Sequence, residues 1–307
     1  MLTLFDQEIF RIHTKKRRML THTSLIGSLR FFLSALALTL AFTFTTTLSA
    51  QVNVYSDPAG TVFVSTHVTI QAAIDAGTTM DGYVVRVDAG SYPEMIMVDK
   101  SLILQGANTG IAGNGTRVAE TIIQDGQVNI LGTNTVVFDG FHISHISNST
   151  PVSLAGGATA TIQNCLIQRN ASAAVSGGPA NARGILISNG AGVKSINNNL
   201  FTGDASGSVF SGTLSWNTGI FINGPSSVIT VEDNVFEVCR TAINIDDMGA
   251  GIFLSGNTFQ RSGTGVSFGG TVATTGSYTF GANDFKNTVG TLMNLSNVAT
   301  SFRLERV

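Results

Sequence analysis

The sequence predicts an all-β solenoid: a single-stranded parallel β-helix of stacked coils, with a short N-terminal helix covering the first coil. Three observations carry that expectation. Two short patterns recur at fixed spacing, Gly, Asn and Ser punctuate the segments between them, and no stretch between the markers holds a helix of useful length. The composition agrees with a turn-rich, well-packed chain. Of 307 residues 43% are hydrophobic, only 12% are charged and 34 are Gly, whereas soluble domains average about 25% charged residues and about 7% Gly. With 17 Lys and Arg against 19 Asp and Glu there is no basic excess to bind nucleic acid. Low hydrophobicity and high net charge, the marks of disorder, are both absent. Two cysteines are too few for a disulfide framework or a Cys-based zinc site.

Residues 1–50 read as a secretory signal rather than part of the fold. A basic stretch (Lys15, Lys16, Arg17, Arg18, Arg30) precedes an uncharged run from Phe31 to Leu48, closed by Leu48-Ser49-Ala50. A start at Met19 would give a signal of more ordinary length. Arg17-Arg18 hints at a twin-arginine signal, but lies far from the apolar run. A membrane anchor is the alternative, since the run is about 18 residues long; its Thr-rich end (Thr43, Thr45, Thr46, Thr47) argues for export. Cleavage after Ala50 removes six basic and two acidic residues and leaves 11 against 17, a net charge of −6. Residues 51–307 then form one mildly acidic β-domain, expected to be secreted or surface-exposed, monomeric, and without a membrane span.

The elements follow in order. Thr69 to Ala76 has helical spacing, with Ile70, Ala73 and Ile74 on one face and Thr69 at the N-cap. Such a helix would cover the open first coil, whose free backbone edge otherwise invites aggregation. Short alternating runs come next, at 83–87, 95–98, 101–105, 121–123, 128–130 and 136–138. The repeat then becomes regular. One pattern is small-apolar-x-apolar: Gly184-Ile185-Leu186-Ile187, Gly219-Ile220-Phe221-Ile222, Ala242-Ile243-Asn244-Ile245 and Gly265-Val266-Ser267-Phe268. The other is Asn-x-large apolar, at Asn164, Asn199, Asn234, Asn257 and Asn283.

Spacing ties the two patterns together. From Ile187 to Phe201, Ile222 to Phe236 and Ile245 to Phe259 the step is 14 each time, and from Phe236 to Ile243 and Phe259 to Val266 it is 7. A period of 21 to 23 residues built from short strands fits one coil per repeat, each coil bonding to the next at about 4.8 Å. The recurrent Asn would stack into a ladder with amides bonding along the axis. A leucine-rich repeat lacks its Leu signature here, and a propeller would need longer repeats.

The run Val68-Thr69-Ile70-Gln71-Ala72-Ala73-Ile74-Asp75, then Tyr83-Val84-Val85-Arg86-Val87, Ala89-Gly90-Ser91-Tyr92-Pro93-Glu94 and Leu102-Ile103-Leu104-Gln105-Gly106 resembles the opening segment of pectin lyase-like right-handed parallel β-helices. With the repeats, the resemblance spans most of residues 61 to 295. It implies the right hand of the helix, and it is shared by pectate and pectin lyases, pectin methylesterases and surface proteins without known activity, so it does not settle function. The methylesterase segments Gly-x-Val-Asp-Phe-Ile-Phe-Gly and Leu-Gly-Arg-Pro-Trp have no counterpart; Asp139-Gly140-Phe141 reads as a turn and strand start. The glycosidase Gly-His-Gly is also missing, and Asp246-Asp247 is the sole Asp pair. Lyases use a Lys or Arg base and often Ca²⁺ in looser motifs, and that class stays open.

A break in the spacing marks the candidate site. From Leu166 to Ile185 and from Phe201 to Ile220 the step is 19 instead of 7, so two adjacent coils each carry a 12-residue insertion at one turn, within 169–183 and 202–218. Stacked, they would form one wall; two tolerated surface loops are the plainer reading. That edge holds Trp216, the one tryptophan, with Arg169, Arg183, Asp204 and, a coil later, Arg240. An exposed indole can stack on a sugar and arginines can grip uronate carboxylates; alternatively Trp216 packs the loop against the coil. In an enzyme Arg183 or Arg240 would be the base. Asn189, Asn223, Asp246 and Asp247 are expected on successive coils as an oxygen column, either a polar turn ladder or a Ca²⁺ site. His142 and His145 should face opposite sides as surface or turn residues, a poor metal pair. Cys165 and Cys239, two coils apart, should be unpaired and buried.

These readings converge on a non-catalytic glycan-binding, adhesive or structural module whose partner is a polysaccharide or cell-surface glycan. The alternative is a polysaccharide lyase or related enzyme acting on a pectin-like acidic polymer at the insertion edge.

Overall fold

The computed structural model describes residues 50–170, 182–188, 190, 192–203, 216–224, 228–247, 251–269, 278–286 and 290–294. Residues 1–49, most of both insertions with Asp204 among them, and Asn189 lie outside the described residues. Within them the chain is an all-β, solenoid-like fold of three sheets. It visits sheets 1, 2 and 3 in turn, eight times. The first coil is Tyr83–Val87, Gly90–Tyr92 and Met95–Val98; the fourth is Thr159–Gln163, Leu166–Arg169 and Arg183–Ser188; the fifth is Lys194–Asn197, Leu200–Thr202 and Trp216–Asn223; the sixth is Val228–Glu232, Val235–Glu237 and Cys239–Asp247. Every coil-to-coil pairing is parallel. Among the described residues no helix is long and apolar enough to cross a membrane.

Alternation explains the core. Ile185, Ile220, Ile243 and Val266 stand in register on sheet 3 and are essentially unexposed. Opposite them on sheet 2, Phe201, Phe236, Phe259 and Phe285 stack at 4.7, 5.3 and 4.7 Å between centroids. These rings dictate the small residue that opens the sheet 3 pattern. A Cβ on Gly184 would stand 3.0 Å from the Phe201 ring and 2.6 Å from Gly219 O; one on Gly219 would stand 2.9 Å from Phe236 and 2.7 Å from Ala242 O.

The asparagine ladder forms at the corner between sheets 1 and 2, with one change from the expected alignment. Asn199, Asn234, Asn257 and Asn283 each use Oδ1 to accept the backbone N–H of the preceding rung at 2.9–3.1 Å. Between the four, each Nδ2 also donates to the next Oδ1 at 3.0 Å. In the fourth coil the ladder position belongs to Cys165, not Asn164, because Leu166 pairs with Leu200. Asn164 instead takes the left-handed turn position (φ 55°) shared with Asn198 (φ 55°), Asp233 (φ 54°) and Gly256 (φ 66°). Asparagine tolerates that conformation, so the same residue type marks two neighbouring positions.

The first coil is closed more thoroughly than the sequence suggests. Strands β1 (Val52–Tyr55) and β2 (Phe63–His67) pair antiparallel, and β1 also pairs antiparallel with Tyr83–Val87, so the two extend sheet 1. Helix α1 (Ile70–Asp75) buries Ile70, Ala73 and Ile74, with Thr69 as N-cap, as expected. Gln71 and Glu94, two residues of the quoted opening run, help to build this cap. Glu94 accepts the Ile70 and Gln71 amides, both at 2.9 Å, at the helix start. The Gln71 side-chain amide exchanges two hydrogen bonds with the Met97 backbone, acting as a one-residue edge strand for sheet 3. Lys100 Nζ donates to Ile74 O, Ala76 O and Thr79 O at 2.6, 3.2 and 2.9 Å, covering the carbonyls at the helix end. Lys100→Met keeps the apolar stem and strands those carbonyls; it is expected to cost about 1–3 kcal/mol, read as a lower urea midpoint with an unchanged far-UV spectrum.

Candidate functional site

The outward face of sheet 3, beside the feet of the two insertions, is where the candidate residues gather. In register Phe201 pairs with Ile167 rather than Leu166, so the step to Ile185 is 18 in the fourth coil and 19 in the fifth. The insertions still leave and rejoin on adjacent rungs, Gln168 beside Thr202 and Arg183 beside Thr218.

Two of the candidate ligands are interior, and of the two readings of Trp216 the inward-packed one is what its burial fits. Trp216 is fully buried and its Nε1 donates to Ile167 O at 3.3 Å. It fills the corner between sheets 2 and 3, so it is no exposed platform for a sugar; the indole satisfies its one polar atom with a backbone carbonyl of the Leu166–Arg169 strand. Arg169 is 1% exposed and its Nη2 donates to Asn148 Oδ1 at 2.8 Å. Burial pulls its guanidinium below the ordinary arginine range. Both side chains pack where the described chain stops and resumes at the insertions.

Arg183 behaves differently. Its guanidinium carbon lies 3.9 Å from the centroid of the Phe221 ring, on the outer face. Burial lowers its pKa and the nearby Asp246 charge pulls the other way. The ion pairs among the described residues are Arg117–Glu120, Arg261–Glu237 and Lys286–Asp284; none involves Arg183 or Arg240. Cation–π contact orients the Arg183 fork without consuming its N–H donors. Arg240 is exposed and sits one register place along and two coils on, since Cys239 pairs with Trp216; rung spacing puts the two at about 10 Å along the axis.

The expected oxygen column is interrupted. Ile222 pairs with Ile245 but Asn223 pairs with Asp247, so Asp246 is the extra residue of a bulge. A bulge re-aims a side chain, and Asp246 leaves the column for the outer face. Ser188, not Asn189, pairs with the exposed Asn223. Among the described residues no group of three or more His, Cys, Asp or Glu could hold a metal ion. The oxygens of Asn223 and Asp246, the column members with described side chains, are fewer than the six to eight that Ca²⁺ takes. Asn244, one place before Ile245, carries a buried Oδ1 with no hydrogen-bond partner. A Cβ at Gly269 would lie 2.9 Å from Asp246 Oδ1 and 3.2 Å from Asn244 Oδ1, so glycine there leaves both oxygens room.

Arg183, Phe221, Asn244 and Asp246 therefore form the candidate site. Sequence reasoning missed Phe221 and Asn244 although both occupy the x of the small-apolar-x-apolar pattern, the outward position of each strand. Of the other candidates, His142 is half-buried and bonds Gln168 Oε1 at 3.0 Å, while His145 is buried, against the expected surface placement. Its ring lies beneath the turn that follows its strand. Cys165 and Cys239 are buried and unpaired, as expected, and burial pushes the Cys165 thiol up to about 12 and Cys239 higher still. A separate cleft of about 400 Å³ is lined by Arg86, Asp88, Gln105 and Thr109. There Arg86 is already engaged by Gln105 Oε1 and the carbonyls of Gly60 and Ala59. Comparison with known protein families, curated proteins and solved structures finds no match to this chain.

Proposed function

We propose that this chain is an exported, right-handed parallel β-helix of the pectin lyase-like kind that binds an acidic glycan without transforming it. The supporting observation is Arg183, braced on Phe221 at the foot of one insertion and beside the foot of the other, with no carboxylate in ion-pair reach among the described residues. A uronate carboxylate would accept paired N–H bonds from it, and the half-buried Asp246 would accept sugar hydroxyls. The family motifs for ester and glycoside hydrolysis are missing from the sequence, which supports binding without turnover.

One observation favours the polysaccharide lyase as the second reading. Burial lowers the pKa of Arg183, the direction an arginine base requires. Titrating the mature protein with polygalacturonate and alginate, with and without Ca²⁺, separates the two. Binding with no absorbance from unsaturated ends supports the module; release of such ends establishes the lyase; no binding to any polyuronate removes the acidic-glycan reading. Arg183→Ala is expected to weaken binding at least about tenfold, the loss of a charge-assisted bidentate contact, measured by calorimetry.

A further inference from the structure

We propose that His145 is an acid-sensitive latch at the corner from which the two insertions leave the solenoid. This inference is independent of the glycan reading. His145 ends the strand His142–His145 and is 1% exposed. Its Nε2 shares hydrogen bonds with Ser147 Oγ at 2.7 Å and Ser149 Oγ at 2.8 Å, and the two hydroxyls are 2.6 Å apart. Its Nδ1 is buried without a partner. Hydroxyls can serve Nε2 as donor or acceptor, so a neutral ring fits. A protonated ring must carry N–H on both nitrogens and a full charge, with nothing to accept from Nδ1.

Charged groups face His145 from both neighbouring rungs. On the next rung Arg169, 1% exposed, is the direct register partner of His145. On the preceding rung Asp125 is near, but its Oδ1 already accepts the Ile146 amide at 3.0 Å. The turn itself contributes Ser147, Asn148 and Ser149, none of which titrates. Of the insertions, 171–181 contains no ionisable residue and 204–215 contains only Asp204. Burial is the largest influence and lowers the pKa; Asp125 opposes it and Arg169 adds to it, and the balance is a lowered value.

The sign follows by linkage. Above the ordinary histidine value of 6.5 both folded and unfolded corners hold a neutral ring, and the contribution is complete. As pH falls through 6.5 the unfolded corner takes up a proton that the folded one refuses, so stability is lost down to the lower folded pKa. The first structure to loosen is the turn after His145, together with the end of the Leu166–Arg169 strand.

The protein carries its own reporter. Trp216 is the single tryptophan and its indole bonds Ile167, two residues before Arg169. Acrylamide quenching of Trp216 in the intact protein is expected to rise about twofold or more between about pH 7.5 and about pH 5. His145→Gln, which keeps a polar group near the two serines but does not titrate, should flatten that response; His142→Gln should leave it. A direct NMR titration needs no variant, because only His67, His142 and His145 fall within 51–307. Flat quenching in the unaltered protein, an equal rise in His145→Gln, or His145 titrating at or above the ordinary value would each overturn the proposal.

Discussion

Replacing Asn234 with alanine is expected to destabilise the protein by about 3–5 kcal/mol, a severe loss for one side chain. Asn234 is fully buried and works in both directions along the ladder. Its Nδ2 donates to Ile196 O at 2.7 Å, Glu232 O at 2.9 Å and Asn257 Oδ1 at 3.0 Å. Its Oδ1 accepts from the Asn199 N–H and from Asn199 Nδ2, both at 3.0 Å. Alanine removes the partner and leaves these groups buried, so the penalty is desolvation without compensation rather than the modest net value of one hydrogen bond. Because each coil touches mainly its neighbours, the damage should separate the two ends of the solenoid. Urea unfolding followed by both Trp216 fluorescence and far-UV circular dichroism checks this. Coincident curves at the wild-type midpoint would show that the ladder contributes nothing.

Phe236→Ala carries the second large effect, about 3–5 kcal/mol, from lost burial plus the cavity left between two rings. Phe236 lies between Phe201 at 4.7 Å and Phe259 at 5.3 Å, with interplanar angles of 10° and 7°. Neighbouring coils are held apart by backbone hydrogen bonds at a fixed spacing, so neither ring can move in to fill the gap. A coupling accompanies the loss. Gly219→Ala alone presses a Cβ to 2.9 Å from the Phe236 ring, and in the Phe236→Ala background that conflict disappears. The double variant should therefore be more stable than the sum of the single changes, with the residual cost coming from Ala242 O at 2.7 Å. Strict additivity in a denaturant cycle would mean that the glycine is retained for the backbone contact alone.

How far the sequence led varies by element. The 14- and 7-residue steps located the in-register columns, since Ile185, Ile220, Ile243 and Val266 do pair as their pattern implies. The asparagine pattern slipped by one residue in the fourth coil because Asn serves both the left-handed turn and the ladder beside it. The β1–β2 hairpin went unread: it belongs to no repeat, and its residues are patterned for an antiparallel cover. At the candidate site Arg183 was legible from the insertion spacing. Phe221 and Asn244 were visible as outward positions, yet their value depended on which neighbours shared the face. Trp216 and Arg169 belong to the expected edge, but the spacing leaves Trp216 open between an exposed and a packed indole and gives no sign that Arg169 points inward. Spacing locates a residue along a strand, whereas the corner between two sheets decides whether a side chain points in or out.

By itself the sequence determined the all-β repeat, the coil length, the capping helix and the neighbouring insertions. Those depend on periodicity and local propensity, and both are written in the order of residues. Tertiary structure alone decided which polar groups are buried and what they meet. It turned Trp216 and Arg169 inward, lifted Asp246 out of its column through a bulge, and enclosed His145 next to Arg169. Burial and charge are properties of neighbours brought together from different coils, and a chain read one residue at a time does not contain them.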